Sequence, residues 1–205
     1  MKNQILINRI IEKAQLHPLR VKNIYIYGSQ VYGTNEDHSD IDIILIGSSM
    51  HSHKEFSPES DELNIHLITA DQFKMDLGRH EIKCFECLYA PKEFILQEKE
   101  DMLKGFKFDK NKLKRMAYGE SFQAWKRAKS FIETGDFLRG TKAIFHGLRI
   151  LDFAIQICEH KKIINFKSSN GILALLQDSE YIDYYQYKDA FFPSKIKLEK
   201  KLKMT

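Results

Sequence analysis

The stretch from Val21 to Ile46 narrows the folds open to this chain more than any other. Val21–Tyr27 is a run of β-branched and aromatic residues that reads as a strand, and Asp40–Ile46 reads as a second. Between them Gly28-Ser29 marks a turn that opens a short helix. Side chains two apart on a strand share a face, so Asp40 and Asp42 present paired carboxylates while Ile41 and Ile43 turn towards a core. Two hard oxygen ligands of this kind suit Mg²⁺, whose shell is completed by substrate phosphates. Gly28 permits close backbone approach, Ser29 can cap the helix that follows, and the first amides of that helix favour an anion. A phosphate-holding turn beside a carboxylate pair implies nucleoside triphosphate chemistry.

Gly28-Ser29, a spacer of ten and then Asp40-x-Asp42 together resemble the signature of the DNA polymerase β nucleotidyltransferase superfamily. The fuller pattern, Gly28-Ser29-x-x-Tyr32-Gly33 with Ser39-Asp40-Ile41-Asp42, is similar to a phage and bacterial group assigned to RNA repair. The resemblance spans about residues 24–97 and continues more weakly through the helices beyond. It implies an α+β protein: a small mixed sheet with flanking helices over residues 1–105, then an all-α C-terminal bundle over residues 106–205. It also implies a two-metal reaction in which Asp40 and Asp42 bind both Mg²⁺ or Mn²⁺ ions. Gly28 and Ser29 would hold the β and γ phosphates while an acceptor hydroxyl attacks the α-phosphorus and expels pyrophosphate.

The superfamily places a third carboxylate on the next strand, here Glu62–Thr69. Matched at Phe73, that position falls on Asn64, a neutral amide that cannot take a proton from an attacking hydroxyl. Glu62 and His66, two residues to either side, are the candidates to substitute, Glu62 by charge and His66 as a base. Two further segments resemble helices of the same group. One is Phe85-Glu86-Cys87-Leu88, whose Glu86 would line the pocket or serve as a partnered structural group. The other is Lys142-x-x-x-His146-x-x-Arg149, which would neutralise the phosphates from the opposite side.

The charge distribution agrees with this division. Residues 1–105 hold 12 basic and 17 acidic side chains, and residues 106–205 hold 20 and 11. A basic half suits phosphates and could hold RNA; the lysine-rich tail Lys195–Lys203 reads as a solvated face. No run spans a bilayer and Met1–Ile11 lacks a signal pattern, which points to the cytoplasm. Three cysteines form no paired framework, and Cys84-Phe-Glu-Cys87 on a helix reads as core rather than a metal or redox pair. Gly47–Ser60 reads as a mobile loop, in which His51 and His53 are exposed or touch a metal or phosphate.

Residues 2–15 carry helical periodicity, Asp71 is placed to cap the next helix, and Lys92–Gln97 reads as a closing strand or short helix. Lys110–Glu133 forms a helix with small residues on one face, and Thr134-Gly135-Asp136 ends it and caps the next. That next helix is apolar on most sides. Its narrow polar stripe of Arg139, Lys142, His146, Arg149 and Gln156 must face acidic partners or a ligand. Shorter helices follow at Asn170–Gln177 and Tyr181–Phe192. The expected activity is transfer of a single NMP from an NTP to an RNA end, a protein hydroxyl or a small molecule. Two alternatives are a catalytically weakened nucleotide- or RNA-binding module, and a helical ribonuclease using Arg139 and His146.

Overall fold

The structure is a computed structural model that describes residues 2–35, 39–48, 54–56 and 62–205. It divides into two compact units, one of residues 1–79 and 83–108, the other of residues 80–82 and 109–205. The first unit is built on a five-stranded sheet of β1 (Val21–Tyr27), β2 (Ile41–Gly47), β3 (Lys54–Phe56), β4 (Leu63–Thr69) and β5 (Ile95–Glu98), in the order β3-β4-β2-β1-β5. The β2–β4 pair is parallel and the others are antiparallel, so the sheet is mixed. This is the α+β architecture expected from the sequence.

Alternation along the strands decides the layers. Val21, Ile24, Ile43, Leu45, Leu63, Ile65 and Leu67 form one core with Ile7, Ile10, Ile11 and Ala14 of α1 (Lys2–Lys13) and the residue following it. On the other face Tyr25 stacks on Phe73 of α3 (Ala70–Arg79), with ring centroids 6.2 Å apart. Ile44 and Ile46 are also fully buried, so the central strand β2 is covered on both sides. Asn23, buried at a bulge in β1, is satisfied by accepting the amides of Lys99 and Glu100 at 3.0 Å each and donating to the Glu100 carbonyl at 2.8 Å and the Tyr25 hydroxyl at 2.7 Å. A buried amide with these four bonds carries no desolvation debt.

Three local expectations change. The segment expected to be a loop contains β3, whose backbone pairs with β4; His51 and His53 lie outside the described residues. Thr69, not Asp71, caps α3, because its Oγ1 accepts the Gln72 amide at 3.0 Å while Asp71 sits inside the first turn. The segment Lys92–Gln97 splits into a 3₁₀ turn at Lys92–Phe94 and β5. The short helices α2 (Ser29–Tyr32) and α4 (Ile82–Leu88) complete the order up to β5.

The second unit holds α5 (Lys110–Glu133), α6 (Phe137–His160), α7 (Asn170–Gln177) and α8 (Tyr184–Met204). Asp109 caps α5 by accepting the amides of Asn111 and Lys112, and Asp136 caps α6 by accepting that of Arg139. The α5–α6 contact depends on glycine. A Cβ on Gly140 would overlap the side chain of Ile132, and one on Gly147 would lie 3.0 Å from Trp125 Cδ1 and 3.2 Å from Ala124 Cβ. Trp125, Ala128, Ile132, Ile144, Phe145 and Leu148 form the core there, joined by Leu176, Tyr187 and Phe191. The basic tail is helical and not wholly solvated: Lys195 is buried, lies 5.1 Å from the Phe192 ring centroid and pairs with Glu199. Gly140→Leu is expected to destabilise the chain by about 1–3 kcal/mol through overpacking. Gly119→Ala on the open side of α5, where a Cβ meets nothing within 4 Å, should stabilise it by about 0.5–1 kcal/mol. Chemical denaturation of the two variants reads both signs.

Candidate active site

Asp42 is the best-defined group of the site. It is the second residue of β2, and the parallel register sets it directly beside Asn64 of β4. The Asn64 side-chain N–H donates to Asp42 Oδ1 at 2.9 Å. From the other neighbour, the antiparallel register pairs Asp42 with Tyr27, the last residue of β1 before Gly28. Gly28 has φ 76° and ψ −148°, a conformation open almost only to glycine. A Cβ built there would stand 2.5 Å from Asp42 Oδ2. One carboxylate is therefore held between an amide donor and a backbone that must lack a side chain.

Gly28 is also the N-terminal cap of α2. The amides of Val31 and Tyr32 bond to its carbonyl at 3.0 and 3.2 Å, and those of Ser29 and Gln30 precede any intrahelical acceptor. Ser29 is the first helical residue and not the cap, so its hydroxyl is not used in closing α2. Gly33 ends the turn in the left-handed conformation with φ 67°. Asp40 lies one residue before β2 and is exposed. Burial raises the Asp42 carboxyl above its ordinary range; the Asn64 hydrogen bond opposes this and the charge of Asp40 adds to it.

Glu62 and His66 are placed differently from each other. Glu62 occupies a bend before β4, with a side chain 79% exposed and an oxygen 3.8 Å from Arg9 Nη1 of α1. Its backbone carbonyl accepts the Ile41 amide at 2.6 Å, which sets the residue beside the start of β2. His66 follows Asn64 by two residues, so both project from the same side of β4, and its register partner on β2 is Ile44. Glu86 is buried on α4 beside Cys87, whose thiol burial pushes well up. Cys84 is equally buried, its Sγ 3.9 Å from the Phe73 carbonyl, as core residues should be.

In the helical unit the polar stripe of α6 separates into distinct roles. Lys142 is exposed. Arg149 is buried, its Nη2 lies 2.9 Å from His146 Nδ1, and its guanidinium packs 5.2 and 5.9 Å from the ring centroids of Phe145 and Phe153. An arginine only donates, so His146 Nδ1 accepts and the imidazole is neutral with its proton on Nε2. Burial, with the charges of Arg149 and Arg127, brings its pKa down to about 3. Arg127 of α5 is a member of this cationic group that the α6 pattern alone could not reveal. Gln156 serves structure: it donates to Asp152, Asn165 and Ser168 and accepts the amides of Ile164 and Asn165. Arg139 and His146 have different partners, Asp136 at 3.5 Å for the first and Arg149 for the second.

Residues 8–100 match the family described as Polymerase beta, Nucleotidyltransferase. This segment is similar to nucleotidyltransferase domains. No curated protein sequence matches the chain. Among solved structures, the fold is similar to a spectinomycin adenyltransferase from Enterococcus faecialis crystallised with ATP and spectinomycin, at 13% identity and TM-score 0.50 over 98% of each chain. A nucleotidyltransferase-like protein from Exiguobacterium sibiricum aligns over 100% of this chain and 75% of its own, at 12% identity and TM-score 0.36. No helix among the described residues is long and apolar enough to cross a membrane.

Gly28→Ala should cost about 1–3 kcal/mol for its backbone conformation, before any displacement of Asp42 is counted. Thermal unfolding measures the loss. A second expectation concerns pH. His146 is neutral when folded and has the ordinary imidazole value of 6.5 when unfolded, so the unfolded state binds the extra proton. Stability should fall as pH drops from about 6.5 towards 3, by up to roughly 4 kcal/mol from this group. His146→Gln, which keeps an acceptor for Arg149 and does not titrate, should remove that contribution from denaturation curves recorded across the window.

Proposed function

We propose that the protein is a metal-dependent nucleotidyltransferase that moves a single NMP from an NTP to a hydroxyl acceptor and releases pyrophosphate. The observation that carries the reading is Asp42 wedged beside the Gly28 turn, with Asp40 two residues before it. The donor set fits a hard divalent cation, because two carboxylates stand where phosphate oxygens can complete the shell. Among the described residues no group of three or more His, Cys, Asp or Glu side chains could hold a metal alone. Mg²⁺ or Mn²⁺ would therefore be shared between Asp40, Asp42 and the nucleotide. When bound it would supply Lewis-acid stabilisation of the charge developing on the phosphoryl oxygens.

The residues of the chain divide the remaining work. The amides at the start of α2 and the Ser29 hydroxyl hold the terminal phosphates, with Gly28 keeping that approach clear. In the helical unit Lys142 is an exposed cation, and the neutral His146 fixes the buried Arg149 guanidinium and can donate from Nε2. The acceptor oxygen bonds to the α-phosphorus as the bond from that phosphorus to the β-phosphate oxygen breaks, and pyrophosphate leaves with that electron pair. The acceptor proton passes to the imidazole of His66, while Glu62 lies 3.8 Å from Arg9. The acceptor class is an RNA end, a protein hydroxyl or a small molecule, and a cytoplasmic setting suits all three.

The test incubates the protein with each α-labelled NTP and Mg²⁺ or Mn²⁺, with total RNA or lysate, beside the Asp40→Ala/Asp42→Ala double variant. Label should move to one acceptor class with wild type and fall at least 10²-fold with the variant, on the scale of lost electrostatic stabilisation. Nucleotide binding without transfer in the presence of every acceptor would instead identify a binding module in which Asn64 has removed turnover.

A further inference from the structure

Asn64 gives the site a property that the family resemblance does not imply. We propose that Asn64 restricts the site to one divalent cation, which enters with the triphosphate, where the resemblance implies two. The inference rests on the reading of Asp40 and Asp42 as the cation ligands of a nucleotidyltransferase. Its grounds are the geometry around Asp42 and the charge the site can present.

Two cations at a phosphoryl-transfer site stand about 3.5–4 Å apart and are bridged by shared anionic oxygens. Bridging draws on the lone pairs of shared carboxylate oxygens. Here Asp42 Oδ1 accepts an N–H from Asn64 at 2.9 Å, and Oδ2 lies against Gly28, where even a methyl carbon would come within 2.5 Å. An N–H aimed at Oδ1 takes one of that oxygen's lone pairs and sets a partial positive charge where the resemblance implies an anionic ligand. A carboxylate at position 64 would reverse both effects, offering an anionic oxygen at the same place.

Among the described residues no other acid is brought to Asn64's side of Asp42. Glu62 lies outside β4, its carboxylate is directed to Arg9, and its side chain is 79% exposed. Sliding β4 to bring Glu62 opposite Asp42 is blocked, because Leu63, Ile65 and Leu67 lock the strand into the core with α1 and Lys13 Nζ bonds the Leu63 carbonyl at 2.7 Å. A two-residue slip would keep the faces but carry these three side chains out of their places. His66 is on the same side of the strand as Asn64, yet an imidazole adds no negative charge. Two carboxylates thus face one doubly charged cation at balance, and the polyanionic nucleotide brings the ion with it. Asn64 is a positioning residue for Asp42: its N–H orients the carboxylate and adds no negative charge.

The decisive experiment counts Mn²⁺ bound to the full chain loaded with an NTP analogue whose α–β bridging oxygen is replaced by an imido group, using electron paramagnetic resonance. Wild type is expected to bind one Mn²⁺ per protein–analogue complex and to show no exchange coupling. Asn64→Asp should add a second site and the spectral signature of a coupled pair, while Asn64→Ala should remain at one because it adds no charge. Two coupled ions in wild type overturn the inference, whatever the variants do. So does a single ion in Asn64→Asp when its melting curve shows a folded protein. Failure of wild type to bind the analogue at all, with or without Mn²⁺, defeats the nucleotidyltransferase reading itself and the inference with it. Transfer activity in a wild type that binds two ions would leave that reading standing and defeat the inference alone.

Discussion

The first unit depends on Asp42 being held at a point where three segments of backbone converge. The antiparallel β1–β2 pair delivers the chain leaving β1 to Gly28 beside this carboxylate, and the parallel β2–β4 pair delivers Asn64 to its other side. Both registers are secured by alternation: Ile43 and Leu45 on β2, and Leu63, Ile65 and Leu67 on β4, must all face α1. A slip of one residue would turn each of them outward. The apolar core thus fixes the position of a polar site it does not touch, and the glycine at position 28 follows from the space that remains.

A comparable dependence runs through the helical unit. Gly140 and Gly147, seven residues apart on α6, let α5 approach closely enough for Ile132, Ala124 and Trp125 to fill the contact. Within the same helix Arg149 is buried against Phe145 and Phe153 and donates to His146. Burying a guanidinium is costly unless its bonds are met, and the neutral imidazole meets one of them. The pair therefore behaves as a unit: His146 loses its basicity so that the Arg149 charge can be kept in place. This makes His146 a holder of charge more than a carrier of it.

Much of the strand, helix and turn pattern was legible because it is local. The bounds of α5 follow from its small-residue face and from Thr134-Gly135-Asp136, which ends it and caps α6, and the buried state of Cys84 and Cys87 from their place on an apolar helix face. Where local reading departed from the structure, a partner distant in sequence was responsible. A Ser- and His-rich segment contributes β3 because β4 offers it an open edge. Gln156, read with the charged stripe, is consumed by the loop at residues 164–168. Lys195, read with a solvated tail, is drawn in by Phe192 and Glu199. Thr69 took the capping role from Asp71 because helix entry depends on where β4 stops, which the strand register decides.

The sequence by itself determined which residue types were available at the site, since Gly28, Ser29, Asp40 and Asp42 lie within fifteen positions on a strand, a turn and a second strand. Local propensity and period are properties of neighbouring residues, and those can be read along the chain. Only the tertiary structure decided that Asn64, and not Glu62, stands beside Asp42. That choice is a matter of register between two strands with β3 and a long connection between them in the chain, set by side chains packing beneath the sheet. The same holds for the neutral state of His146, which follows from its burial and from two arginines, one of them on another helix.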